Sequence, residues 1–186
     1  MAYKDLPCPT LLRQLLTYDP ETGKLFWRSR TADMFTGGKH TTEHTCKKWN
    51  ARYAGAEAFT AVNRQGYRCG AINNKQYKAH RIVWKLYFGN APLDQIDHID
   101  GNRTNNRISN LREVTNRQNS MSAARCKNNT SGYAGVTLDN RRGKYRSSIK
   151  VNRKQIFLGY FDCPEKAHLA YVKVKSVYGF SERHGT

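Results

Sequence analysis

Apolar positions first recur at helical spacing in Leu11, Leu12, Leu15 and Leu16, which predicts a helix over Thr10 to Tyr18. Asp19-Pro20-Glu21-Thr22-Gly23 stops it, and Lys24 to Arg28 reads as a strand. Residues 29–54 are rich in Thr, Gly, Lys and His without a clear period, and Gly37-Gly38 suggests a mobile loop. Gly66 to Ile72, a turn at Asn73-Asn74 and Lys75 to His80 predict a hairpin, because asparagine tolerates the left-handed backbone of a two-residue turn. Arg81 to Phe88 predicts a buried helix, with Val83, Trp84, Leu86 and Tyr87 as core, ended by Gly89. His80 before it reads as a core or phosphate-facing residue. Beyond a linker-like stretch at 125–131, Tyr133 to Leu138, Lys144 to Val151 and Lys154 to Phe161 predict three strands. Their turns fall at Asn140 to Gly143 and at Asn152-Arg153, and a helix over Pro164 to Tyr178 follows.

Between these parts lies the stretch with most chemistry, 93–125. A short strand near Gln95 to Ile99 would carry Asp97 and His98 at its end, and Asp100, Gly101, Asn102 and Asn105 supply turn residues. The run Ile108 to Val114 predicts a second strand. Thr115 with Gln118 three positions later forms a capping box that starts a helix, placing Asn119 on its first turn. Asp97 and Asn119 then offer hard oxygen donors to one cation, which suits magnesium or manganese and leaves room for water and phosphate oxygens. His98, beside a ligand, can accept a proton from water near neutral pH. A calcium loop of the EF-hand kind is excluded: aligning Gly101 with loop position six puts Ile96 at position one and Arg107 where a bidentate glutamate belongs.

Charge decides what such a site would act on. The 186 residues carry 32 Lys+Arg against 14 Asp+Glu, a net charge of +18. That excess points to a polyanion, and double-stranded DNA is the first candidate. A basic membrane helix would gather the cations on one helical stripe, whereas here they lie in Gly- and aromatic-rich, strand-like segments. No apolar run approaches the roughly 18 residues that would span a bilayer, and no signal peptide is evident. Cys8, Cys46, Cys69, Cys126 and Cys163 are odd in number and never closely spaced, so neither a zinc clip nor a disulfide framework is expected. These features predict a soluble protein of a reducing cytoplasm. His40, His44 and Cys46 have spacing that could ligate a transition metal, but on a basic loop they read better as solvated surface.

The run Asp97, His98, Asn110, Asn119, with Asp100-Gly101-Asn102 and Asn106-Arg107 between, resembles the HNH endonuclease motif, especially its phage and homing branch. The order of hairpin, His80-Arg81, apolar helix, Gly89, Pro92 and Asp97-His98 extends that resemblance over about residues 10 to 125. It implies a ββα-metal module in which His98 is the general base, Asp97 and Asn119 hold the metal, and Asn110 braces the loop that aims the histidine. It also implies a phage protein working in the cytoplasm of a bacterial host. Where many relatives have a further histidine, four residues before the last ligand, this chain has Thr115. That departure argues against zinc or nickel and for a two-ligand Mg2+ or Mn2+ site.

In the third part, Ser131-Gly132-Tyr133, Gly135-Val136, Gly143-Lys144-Tyr145, Leu158-Gly159, Phe161-Asp162, Pro164-Glu165 and Ala167 resemble the Apetala-type, ethylene-response-factor-like DNA-binding domain. Alternation along Lys144 to Val151 puts Lys144, Arg146, Ser148 and Lys150 on one face and Tyr145, Ser147, Ile149 and Val151 on the other. A helix with Ala167, Leu169, Ala170, Val172, Val174 and Val177 would cover the apolar face. The family lays its sheet in the major groove, which would present Arg141, Arg142, Lys144, Arg146, Ser148, Lys150, Gln155 and Phe157 to DNA. Several arginines of the plant members are absent, so their base preference does not carry over.

The expected architecture is therefore α+β: an N-terminal region and nuclease module over 1–125, then a three-stranded antiparallel sheet packed on one helix over 126–186. The expected function is a metal-dependent endonuclease of homing type, a monomer that nicks one strand. The alternative is a non-catalytic DNA-binding regulator with a structural HNH-like module. Structured RNA is a third, weaker partner.

Overall fold

The computed structural model of the chain describes residues 5–121, 129–180, 182, 184 and 185. The chain divides into two compact units, Met1–Glu113 and Val114–Thr186. The domain boundary expected at 125/126 lies outside the described residues.

The first unit opens with α1 (Pro9–Leu15), which buries Leu12 and Leu15. It is shorter than the leucine spacing predicts. Leu16 is already extended and begins β1 (Leu16–Asp19), which pairs antiparallel with β2 (Lys24–Trp27) in the register Leu16↔Trp27 to Asp19↔Lys24. A leucine is equally at home inside a helix or a strand, so only the pairing decides where the helix stops. The Asp19 carboxylate closes the turn by accepting from Glu21 N at 3.0 Å and Thr22 Oγ1 at 2.5 Å.

Residues 29–54, expected as a mobile loop, contain α2 (Thr42–Tyr53). Thr41 caps it by accepting from His44 N at 3.2 Å. Its inward face is pinned through polar and cation–π contacts rather than aliphatic ones. The Asn50 side chain takes both backbone groups of Arg30 at 2.8 Å, and the Arg30 guanidinium lies 3.9 Å from the centre of the Trp49 ring. Such a face leaves no hydrophobic period to read. Cys46 is buried and donates its thiol to Arg30 O, so it is packed away from His40 and His44. Among the described residues, no group of three or more His, Cys, Asp or Glu side chains could hold a metal.

A short strand β3 (Glu57–Ala58) extends the first sheet to the order β1-β2-β3. A second sheet has the order β4 (Ala61–Val62), β5 (Arg68–Ile72), β6 (Lys75–Lys78). Its hairpin turns at Asn73 and Asn74, with φ of 49° and 60°, the left-handed pair that the sequence predicts. From β6 the chain enters α3 (Ala79–Phe88) directly, two residues earlier than expected, so His80 sits in the helix. Ile82 and Val83 are wholly buried and join Leu12, Leu25, Phe59, Ile72, Ile96 and Leu111 in the core. β7 (Gln95–His98) pairs with β8 (Leu111–Val114). The front of the expected second strand, Ile108–Asn110, is a 3₁₀ turn instead.

In the second unit α4 (Asn116–Ser120) carries the predicted capping box: Gln118 N donates to Thr115 Oγ1 and Gln118 Oε1 accepts from Thr115 N. Three antiparallel strands, β9 (Val136–Asp139), β10 (Lys144–Val151) and β11 (Lys154–Phe161), follow in the sheet order β11-β10-β9, then α5 (Pro164–Val177). Tyr171 and Val174 of α5 pack on Ile149 and Val151 of β10. The helix keeps only part of the expected stripe, turning Ala167 and Val174 inward. Ala167 and Tyr171 are buried, whereas Leu169 is 59 % exposed, Val172 40 % and Val177 80 %. The aromatic Tyr171 outweighs the smaller aliphatics in setting which face turns inward.

Candidate active site

His98 ends β7 and Asp97 precedes it, and both are buried, His98 to 2 % exposure and Asp97 to 8 %. A buried carboxylate demands positive charge. Arg112, on the neighbouring β8, meets it with Nε at 3.1 Å and Nη2 at 2.8 Å, both on Oδ2.

The imidazole of His98 is held by Asn106, whose Oδ1 lies 3.1 Å from Nε2. Because Oδ1 can only accept, the shared proton sits on Nε2, and Nδ1 becomes the basic nitrogen of the neutral ring. Asn106, 2 % exposed, is fixed in turn: its carbonyl accepts from the Tyr18 hydroxyl at 3.0 Å. Arg107 beside it donates from Nε to Glu21 O. The β1–β2 turn therefore backs the residue that holds His98. Burial pushes the Tyr18 hydroxyl up to about 12, so it stays a donor across the physiological range.

The loop between β7 and β8 is stitched around Asp100 and Asn110. Asn110 Nδ2 donates to Asp100 Oδ1 and to Asn105 O, each at 2.9 Å, and Asn110 Oδ1 accepts from Asp100 N at 3.0 Å. Asn105 Nδ2 adds a bond to Asp100 Oδ2 at 2.7 Å. Burial pushes the Asp100 carboxyl up, but the amides of Asn105 and Asn110, the Asn102 N–H and nearby His98 outweigh it and hold the group below its usual value. Asn110 thus ties both ends of the loop that leads away from His98.

Two rings complete the surroundings. His80, 5 % exposed, stands perpendicular to His98 with centroids 5.2 Å apart, and Tyr67 lies 4.9 Å from His80 and 5.9 Å from His98. Burial is the largest influence on His98 and lowers its pKa, with Arg103 acting the same way; the Asn106 bond, Asp100 and Asp97 oppose it without prevailing. His80 is held well below the usual histidine value by burial first, then by His98, Lys78 and Arg81. Both imidazoles are neutral at pH 7, the state in which a base can take a proton.

Asn119 lies half-buried on α4, its N–H donating to Thr115 O at 2.9 Å. The donor set expected for a metal, one carboxylate and one amide oxygen, fits a hard divalent cation by its chemistry. The sequence placed Asn106 within the motif and read His80 as core or phosphate-facing without giving either a role at His98, and it did not single out Tyr67 or Arg112. Arg112 left a signal as a cation within an apolar strand facing the strand of Asp97.

In the second unit, Arg141, Arg142, Lys144, Arg146, Lys150, Gln155 and Phe157 are all exposed and Ser148 is half-buried, while Ser147, Ile149 and Val151 are buried. The predicted alternation of β10 holds along its length, despite a register shift between Ser147 and Ser148. Gln155 Nε2 donates to Ser148 Oγ at 2.7 Å, and the Arg146 guanidinium lies 5.6 Å from the Phe157 ring. Lys144 pairs with Asp162 at 3.3 Å and Arg142 with Asp139 at 3.8 Å. Both pairs are solvent-screened and weak.

The family model of HNH endonucleases matches residues 77–121, from β6 to the end of α4. Protein 3.8 of Escherichia phage T7 is 37 % identical over 83 residues, which make up 42 % of this chain and 69 % of the phage protein. The chain belongs to one family with that protein and carries an HNH endonuclease domain. A second relative, YosQ of the SPbeta prophage of Bacillus subtilis (strain 168), is described as a candidate HNH homing endonuclease. It is 36 % identical over 59 residues, 31 % of this chain and 34 % of YosQ. No solved structure matches the chain. His98, Asp97, Asn106, Asn110, Arg112 and His80 all fall inside the HNH domain, whereas Tyr67 lies before it. Among the described residues no helix is long and apolar enough to cross a membrane.

Proposed function

We propose that the protein is a metal-dependent DNA endonuclease of homing type that nicks one strand of a duplex. The observation that carries this reading is the His98 imidazole, buried, pinned through Nε2 to Asn106 and adjacent to the Asp97 carboxylate within the HNH domain. Water attacks the phosphorus while His98 Nδ1 takes its proton. The phosphorus–oxygen bond to the departing sugar breaks, and that oxygen gains a proton from solvent. Asn106 keeps Nε2 occupied, which leaves the Nδ1 lone pair as the basic site of the neutral ring. Asn110 holds the loop that fixes His98 in place.

Asp97 and Asn119 would hold a magnesium or manganese ion. That ion would supply positive charge to the scissile phosphate and leaving oxygen. Targeting belongs to residues 126–186 as an Apetala-like module, with Arg141, Arg142, Lys144, Arg146, Ser148, Lys150, Gln155 and Phe157 facing the groove. A strand ribbon with exposed cations on one face and a helix on the other supports that assignment. The protein would act as a monomer on double-stranded DNA in the bacterial cytoplasm.

One observation favours a second reading. Asp97 already has a guanidinium on Oδ2, as a structural carboxylate would in a DNA-binding regulator whose HNH domain no longer cuts. Incubation of supercoiled plasmid with the full chain separates the two. Conversion to the nicked circle in magnesium, abolished by chelation, is expected of the nuclease; tight binding with the plasmid left supercoiled would establish the regulator.

A further inference from the structure

His80 is among the least economical residues of the first unit's core. It is 5 % exposed, and its Nδ1 has no hydrogen-bond partner among the described residues. Leaving such an atom bare costs stability, and a phenylalanine would fill similar volume without that cost. Buried polar atoms left unmet in this way call for a reason other than packing. The neighbours supply one. His80 is perpendicular to His98 at 5.2 Å, and Tyr67 touches both rings, at 4.9 Å and 5.9 Å. Lys78 Nζ at 4.1 Å and the Arg103 guanidinium at 5.0 Å lie over the Tyr67 ring. Two of the three rings around the site are therefore imidazoles, and only one of them is used by the reaction as described.

We propose that His80 is a positioning residue for His98, its buried, perpendicular ring setting the plane of the reacting imidazole. In this crossed arrangement His98 cannot swing its plane without displacing a buried ring. The uncharged imidazole sets that plane by its own outline, which a phenyl ring does not share, and spares a positive neighbour the repulsion of a second charge. Burial and the cations Lys78 and Arg81 keep His80 in that uncharged state. The bare Nδ1 is then the cost of keeping a polar ring where an apolar one would be more stable.

The inference rests on His98 as the base, and the test separates the two. Plasmid nicking by the full chain is compared for native protein, His80→Phe, His80→Asn and His98→Ala, with a thermal melt of each. For His80→Phe the expected result is an equal or higher Tm, with kcat lowered by about tenfold or more and KM within about threefold of native. His80→Asn has no ring to hold that plane and is expected to lose kcat likewise, while melting lower. Native kcat in His80→Phe overturns the proposal, as does a loss of kcat in the two variants that only follows their melting temperatures. Native cleavage by His98→Ala would instead remove the base itself.

Discussion

At the scale of single residues, the bond from His98 Nε2 to Asn106 Oδ1 orients the proposed base, while burial sets the direction of its pKa. A neutral acceptor helps orient the ring without strongly favouring its charged form, so burial prevails and the base stays unprotonated below the ordinary pH near 6.5. Asn106→Asp would place a carboxylate there and stabilise the imidazolium. The acidic limb of the cleavage profile should then move to higher pH, which a pH series of nicking rates checks; an unmoved limb would place the base elsewhere. Stability has a linked dependence. The folded-state pKa of His80 lies below its unfolded value near 6.5, so under that pH the unfolded chain binds a proton that the folded chain does not. Stability is therefore lost as the pH falls through this window, and His98 contributes with the same sign. Urea melts at about pH 7.5 and about pH 5.5 should show the loss, and His80→Phe should reduce it. Asp97, His98 and Asn110 were legible as a motif because their types and order carry the chemistry. The roles of Asn106 and His80 at His98 were not, because one resembles any loop asparagine and the other any core histidine until their rings and oxygens are placed.

At the scale of elements, the β1–β2 turn matters to a site it does not contain. Gly23 has φ of +72°, and a Cβ there would lie 2.4 Å from Arg107 N and 2.6 Å from Asn106 C. Gly23→Ala must push back the segment that holds His98, at a backbone cost of about 1–3 kcal/mol. It should lower both Tm and cleavage while leaving duplex affinity near native. Gly37→Ala, where the added methyl meets nothing within 4 Å, is the control expected to change neither. Equal behaviour of the two variants would mean that the turn does not support the site. The hairpin at Asn73-Asn74, the capping box at Thr115 and the three C-terminal strands were readable because local turn and cap chemistry specifies them. α2 was not, since its packed face is Cys46, Trp49 and Asn50 gathered around Arg30 rather than an aliphatic stripe. The end of α1 and the 3₁₀ turn at Ile108–Asn110 depend on strand pairing and side-chain bonds to distant residues, which periodicity does not record.

For the whole molecule, the proposed division of labour rests on charge. Residues 126–186 carry 12 Lys+Arg against 4 Asp+Glu, a net +8, and the exposed face of β10 concentrates part of it. Arg146→Ala and Lys150→Ala should each weaken DNA binding and reduce its salt slope by roughly 0.9 for every phosphate no longer neutralised, with nicking still detectable at high protein. Binding titrations across salt concentrations check this, and an unchanged slope would move the DNA surface off this sheet. A mixed α/β fold with small antiparallel sheets was legible from the order of its elements. The measurement that bears most directly on the central claim compares the native full chain with His98→Ala, following both plasmid nicking and duplex binding in magnesium. The account predicts native binding with cleavage reduced on the order of 100- to 10,000-fold. Cleavage by His98→Ala at the native rate, or a loss of binding as large as the loss of rate, would contradict it.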